Sequence, residues 1–213
     1  MASDYKKVFI EIYSDNAWNS SESRSGPGST IQSTRDLVSQ LPDLFKRLNV
    51  KSILDLPCGD FNWMSQVPME SIDYTGADIV EDLISSNQSK YPDKTFVCLD
   101  LLTDQLPTAD LVICRDCLGH FPNHAVRKAL FNVCESGAKY FLTTNFPNHT
   151  STSDINFGGW RPINLVTFGL PEPTLTLNEG LKSSGVEDKS MSLWPVDSIK
   201  IALMFGEQNA VRQ

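Results

Sequence analysis

Ser52-Ile-Leu-Asp-Leu-Pro-Cys-Gly-Asp-Phe61 is followed, 18 residues after Asp60, by Asp78 at the end of Tyr74-Thr-Gly-Ala-Asp78. An apolar run ending in an acid and a glycine turn is how a parallel strand brings its carboxyl end to a ligand. A second strand ending in an acid then supplies a ribose contact. The missing glycines discriminate between cofactors. A dinucleotide fold needs G-x-G-x-x-G so that backbone amides can approach a pyrophosphate, and of that pattern Gly59 alone remains. Asp55 and Asp60 place two carboxylates where a pyrophosphate would sit, which repels an anion and suits a ligand with an ammonium and a sulfonium. S-adenosylmethionine is such a ligand.

Outward from this stretch, strands are expected near 51–56, 73–77, 95–99, 110–114 and 138–144, with helices near 61–67, 80–90 and 123–135 between most of them. That alternation predicts a parallel sheet with right-handed crossovers and helices on both faces. Before it, residues 1–28 read as irregular, with a flexible loop over Asn19–Gly28. Ser29 or Thr30 caps a helix to Leu48 whose apolar face is Ile31, Leu37, Leu41, Leu44, Phe45 and Leu48. The 213 residues suit one domain: loop and helix (1–50), cofactor core (51–145), substrate loop or lid (146–173) and a C-terminal hairpin (174–213) whose strands at 174–178 and 189–194 bring the sheet to seven.

Lysine and arginine number 18 against 26 acids, a net charge of −8, which disfavours a nucleic-acid partner because phosphate binding needs a basic surface. No apolar run reaches membrane-spanning length and the start lacks a signal-peptide core, so no membrane partner and a cytoplasmic location are expected. The five cysteines form no disulfide framework, and Cys114-Arg-Asp-Cys117 has no second pair to complete a zinc site.

The same landmarks resemble those of class I S-adenosylmethionine-dependent methyltransferases. Their acid-x-Gly-x-Gly-x-Gly motif appears as Asp55-Leu-Pro-Cys-Gly59-Asp-Phe61, with Pro57 and Phe61 replacing two glycines. By that resemblance Asp78 is the ribose-binding acid with Ile79 beside the adenine, and Asp100 with Leu101 meets the adenine amino group. Asp110-Leu-Val-Ile-Cys-Arg-Asp116 resembles the fourth strand and its turn, which brings Arg115 to the cofactor. The alternative is a doubly wound domain whose strand-end acids merely cap helices.

The long segment Asn145–Pro173 is where acceptor choice is expected, since loops of such length are usually functional. Asp154, Trp160, Arg161 and Asn164 mix hydrogen-bonding groups with an aromatic platform, which suits a sugar; a glycine-hinged lid around a buried tryptophan is the other reading. Trp18-Asn-Ser-Ser-Glu22-Ser-Arg-Ser25-Gly-Pro-Gly28-Ser29, Cys-Gly-Asp-Phe-Asn-Trp63-Met, Cys-Arg-Asp116-Cys-Leu-Gly-His120 and Gly-Trp160-Arg-Pro-Ile-Asn164-Leu resemble methyltransferases of bacteria and large algal viruses. Among these the chain is similar to the methyltransferase domains of multidomain chlorovirus glycosyltransferases. That likeness implies O-methylation of a sugar hydroxyl, a terminal rhamnose-type deoxyhexose of a glycan, with Ser25 and Gly28 at the cofactor and Trp18 at the acceptor. It also implies covalently linked glycosyltransferase domains in a longer native chain and, for a viral protein, the host cytoplasm.

Methyl transfer to a hydroxyl is an in-line displacement that needs the acceptor oxygen close to the sulfonium carbon and relieved of its proton. Asp116 and His120, just after the fourth strand, are the candidates. Histidine is the commonest general base, with Asp116 orienting it or acting itself; a histidine bonded to a backbone carbonyl is the structural alternative. Asp116, Asp154 and His120 would be the ligands if magnesium or manganese takes part. A methyltransferase of another small molecule or of a protein side chain, and a non-catalytic cofactor-binding module, remain open.

Overall fold

The protein is described by a computed structural model over residues 4–151, 153–179 and 188–210, with the side chains of 205–210 left aside. Helix α1 (Asp4–Ser14) precedes a loop that leads through a turn at Pro27–Ser29 into α2 (Ile31–Leu48). There follow β1 (Ser52–Asp55), β2 (Asp73–Asp78), α3 (Glu81–Lys90), β3 (Thr95–Cys98), β4 (Leu111–Cys114), α4 (Asn123–Glu135), β5 (Tyr140–Asn145), β6 (Leu175–Asn178), β7 (Ser190–Pro195) and α5 (Val196–Ala210). The seven strands lie in the order β3-β2-β1-β4-β5-β7-β6. The first five are parallel, and β7 runs antiparallel to both β5 and β6.

Alternation along each strand builds the two cores. Ile53, Leu111, Ile113 and Leu142 turn to the face covered by α2 and α3, where Leu37, Leu41, Leu44, Phe45, Leu83 and Ile84 meet them. Leu54, Val112, Cys114 and Phe141 turn to the other face, against Val126, Leu130 and Val133 of α4 and Ile199 and Leu203 of α5. Each fully buried aliphatic side chain contributes roughly 1.5–3 kcal/mol. The period of two thus commits the sheet to burial on both faces.

Four expectations need correction. Residues 4–14 are helical, not irregular. The expected helix at 61–67 shrinks to one turn, Met64–Gln66, because Phe61 at φ 57 lies outside the right-handed helical region. The C-terminal segment adds α5 after its hairpin strands. Thr30 is the cap of α2, accepting from the Ser33 amide at 3.2 Å, but Ile31 points outward at 40% exposure and Thr34 takes the buried position.

Chain order places the site. From β1 the chain steps outward to β2 and β3, then crosses to β4 on the other side, so the carboxyl ends of β1 and β4 flank a topological switch point. Directly beneath it Asp55 is 1% exposed and accepts a hydrogen bond from the Tyr74 hydroxyl at 2.7 Å. Burial raises its carboxyl from the ordinary 3.8 to about 7, with the Tyr74 bond opposing the shift. An acid with a folded value above its unfolded one favours the folded state at low pH. That advantage disappears as pH rises from about 4 to about 7. Asp55→Asn keeps an acceptor for Tyr74 and removes the titration. Its melting temperature relative to wild type is expected to climb between about pH 4 and about pH 8. A flat difference by calorimetry contradicts the buried-acid assignment.

Candidate active site

A cavity of about 500 Å³ opens at the carboxyl ends of β1 to β4, within the range of small-ligand sites. Gly59 after β1, Asp78 at the end of β2, Asp100 after β3 and Asp116 and His120 after β4 all line it, so four strand ends contribute to one wall. Of the residues expected there, Trp18, Ser25, Gly28, Pro57, Ile79, Leu101, Arg115 and Trp160 also line it.

The glycine turn is clasped by the loop ahead of α2. Gly59 sits at φ +54, and a Cβ there would lie 2.1 Å from Ser25 Oγ. Ser25 Oγ accepts from the Asp60 amide at 3.1 Å, while the Asp60 carboxylate accepts from the Ser23 hydroxyl at 2.9 Å and the Arg24 amide at 2.8 Å. Glu22 Oε1 joins the Ile31 amide (2.6 Å) to Asn62 Nδ2 (2.8 Å). Asp60 is therefore a fastener of the loop and does not line the cavity, and Asp55 lies below the lining.

The turn's amides are all committed internally. Cys58 N–H donates to the Ala77 carbonyl (2.8 Å), Gly59 N–H to Asp78 (3.2 Å), Asp60 N–H to Ser25 and Phe61 N–H to the Cys58 carbonyl (3.3 Å). No ring of amides is left to cradle a pyrophosphate. What faces the cavity is carboxylate. Asp78 also accepts from the Val80 amide at 3.1 Å. Burial lifts its carboxyl to about 6, against the amide bonds from Val80, Gly59 and Ile79. Asp100 accepts from the Leu102 amide at 2.8 Å and from the Tyr5 hydroxyl at 2.6 Å.

His120 follows β4 in the same lining. Its Nδ1 lies 2.7 Å from the Gly159 carbonyl. The carbonyl accepts, so Nδ1 carries the proton and Nε2 the lone pair. Burial lowers its pKa below the ordinary 6.5, with the Gly159 bond and Asp116 opposing. The expected orientation of His120 by Asp116 gives way to orientation by Gly159. Asp116 belongs instead to an ion cluster: Lys189 Nζ lies 2.6 Å and Arg115 Nη1 3.2 Å from its Oδ2, and Glu179 Oε2 bridges Arg115 (2.6 Å) and Lys189 (3.1 Å). Although burial opposes its charge, Lys189 and Arg115 hold the Asp116 carboxyl well below its usual range, so it is ionised and unsuited to act as a base at neutral pH. Its backbone sits at φ 50, held by an amide bond to Thr144 Oγ1 at 2.8 Å. Arg115 also donates to the Gly28 carbonyl at 2.9 Å, which ties the clasping loop to the cluster.

Three expected acceptor residues are scaffold. Asp154 accepts from the Asn123 amide at 2.7 Å and so caps α4. Arg161 is buried, donating to the Phe121 carbonyl (2.7 Å) and Asn123 Oδ1 (2.8 Å). Asn164 caps the turn Leu165–Phe168 and donates to the Pro147 carbonyl at 2.9 Å. None of the three lines the cavity, so the expected metal set of Asp116, Asp154 and His120 is not brought together. Trp160, 47% exposed, meets Phe146 edge-on at 6.2 Å, and Trp18 packs against His120 at 5.4 Å. Tyr5, Phe9, Ile12 and Tyr13 of α1, with Trp63, Phe146 and Lys189, are among the further lining residues that were missed in the sequence. The helical spacing of Tyr5, Phe9 and Ile12 is the signal that could have found the first group.

No protein-family profile and no curated protein matches the chain. Among solved structures it is similar to the methyltransferase domain of a bacterial Hen1 (12% identity, TM-score 0.58, 78% of this chain and 98% of that one). It is similar also to magnesium protoporphyrin IX methyltransferase from Synechocystis with bound S-adenosylhomocysteine (13% identity, TM-score 0.59, 89% and 94%). A third is human N-acetylserotonin methyltransferase in complex with S-adenosylmethionine (13% identity, TM-score 0.56, 90% and 54%). The chain has the class I methyltransferase fold. Within that fold, its glycine-poor turn is built from the Ser25–Asp60 clasp.

Gly59→Ala strains the backbone and collides with Ser25. It should lower stability by more than about 1 kcal/mol. Ser25→Gly added to it should recover part of that loss, since the pair is in contact. Strict additivity in a double-mutant unfolding series contradicts the clasp.

Proposed function

We propose that the chain is an S-adenosylmethionine-dependent O-methyltransferase in which His120 is the general base. The observation that carries this reading is the lining itself, in which carboxylates and apolar side chains from successive strand ends share one cavity with a histidine whose Nδ1 is fixed on a carbonyl. The fold's relatives point the same way. The donor set fits the cofactor: with the amides of residues 58–61 engaged, the turn disfavours a pyrophosphate and tolerates a cation. Asp78 would hold the ribose hydroxyls, Ile79 and Leu101 would flank the adenine, and Asp100 would take its amino group, with Gly59, Pro57, Ser25, Gly28 and Arg115 around the remainder. S-adenosylmethionine supplies a methyl group on a sulfonium. The chain's own task is to hold an acceptor hydroxyl and remove its proton. His120 Nε2 receives that proton, and the Gly159 carbonyl stabilises the ring in the required tautomer. Asp116 and Lys189, already paired, shape the floor.

The relatives named above carry different acceptors in their names, and fold does not fix the acceptor. We infer a neutral ring bearing a hydroxyl, a deoxyhexose such as a terminal rhamnose of a glycan. Trp18, packed against His120, and Trp160, in the same cavity lining, would serve as platforms for an apolar sugar face. The acidic surface, net −8, supports an acceptor other than nucleic acid. The test is transfer of labelled methyl from the cofactor to a panel of rhamnose-terminated oligosaccharides, phenols and peptides. Label in the sugars supports the reading, and label only in phenols or peptides ends its carbohydrate part.

His120→Ala is expected to lower kcat by about 10²- to 10⁴-fold at unchanged cofactor affinity. In the wild type kcat/KM should rise with pH through a value below 6.5, because the neutral ring is active and burial lowers its pKa. That acid limb should vanish in His120→Ala; a limb that persists, with full activity, makes His120 structural.

A further inference from the structure

α1 (Asp4–Ser14) has no fully buried residue, yet Tyr5, Phe9, Ile12 and Tyr13 all line the cavity. A helix that buries so little belongs to the low-stability end of a structure, from which moving covers are drawn. Arg24 donates to the Tyr13 and Ser14 carbonyls at its C-terminal end (3.4 and 3.5 Å), and ring contacts and one hydroxyl bond tie its N-terminal part down. Phe9 meets Phe121 at 5.8 Å, and Tyr5 stacks on Phe157 at 4.7 Å. The Tyr5 hydroxyl also donates to Asp100 Oδ2 at 2.6 Å, a bond spanning 95 residues of sequence.

The loop under the helix is shaped for this approach. Gly158, at φ +81, would place a Cβ 2.6 Å from Val8 Cγ1 and 3.1 Å from Ile12 Cδ1, so a side chain there would crowd the underside of α1. The Gly158 amide in turn donates to the His120 carbonyl at 3.1 Å, and the neighbouring Gly159 carbonyl holds the His120 ring. One short stretch therefore supports both the cover and the base.

We propose that α1 is a lid over bound cofactor and that Tyr5 is the positioning residue that latches it to Asp100. The inference rests on the cofactor reading above, in which Asp100 stands at the adenine end. A carboxylate offers about four acceptor sites, and Asp100 uses one for the Leu102 amide and one for Tyr5. It can thus serve a ligand amino group and the latch together. A closed lid excludes water and slows release of the spent cofactor.

Release of S-adenosylhomocysteine from the full chain, followed by stopped flow, is the test, with amide exchange over residues 4–14 in parallel. Tyr5→Phe should release it about tenfold faster, the scale of one lost bond to a charged acceptor. Phe157→Ala, which keeps the hydroxyl, should have a smaller effect. Bound S-adenosylhomocysteine should slow exchange in α1 of the wild type and fail to do so in Tyr5→Phe. Wild-type release and exchange in Tyr5→Phe overturn the latch; so does slower release, which would make the hydroxyl a competitor for Asp100. A wild type that takes up no S-adenosylhomocysteine overturns the cofactor reading and the lid with it.

Discussion

The clasp between Ser25 and the glycine turn is the contact on which the site depends. Gly59 leaves the space that Ser25 Oγ fills, and the Asp60 amide donates into that oxygen. Asp60 then returns its carboxylate to Ser23 and Arg24, so one acid closes the loop from the other side. A turn closed in this way spends its amides on protein acceptors. Its floor is consequently acidic, which disfavours a pyrophosphate. The same clasp delivers Trp18, on the loop ahead of it, to the face of His120.

Across the cavity the constraint is electrostatic. Arg115, Glu179 and Lys189 are nearly fully buried and mutually paired, with Asp116 at the cavity edge. Removing one partner from such a cluster strands a buried charge, which costs more than the pairing gains. The Thr144 hydroxyl holds the Asp116 amide while its φ is 50, and the cluster keeps its carboxylate ionised, so in the proposed reading proton transfer falls to His120.

Much of this was legible in the chain. The strand-end acids and Gly59 mark one cavity wall because a parallel sheet must bring its carboxyl ends together, and sequence order alone supplies them. The polar residues of the 146–173 loop were misread for a physical reason. Asp154, Arg161 and Asn164 have the chemistry of a sugar site, but a long loop has backbone groups of its own to satisfy, and these side chains are spent on them. Composition does not tell which demand wins. Glu179 and Lys189 lie 64 and 73 residues from their partners Arg115 and Asp116, a separation that no local pattern reports. Helix α1 is hard to read from sequence because its apolar spacing is interrupted by charged residues, of which Asp4, Lys7 and Glu11 are exposed.

In the proposed reading the aromatic cover and the acidic floor would grip a cationic nucleoside and shield one hydroxyl. Its central claim is that the β2-end acid reads a ribose diol. Calorimetric titration of wild type and Asp78→Ala with S-adenosylhomocysteine tests that claim most directly. The account predicts binding to the wild type, weakened by about 1–3 kcal/mol in the variant. Equal affinity in the two proteins, or tighter binding of a nicotinamide dinucleotide, would contradict it.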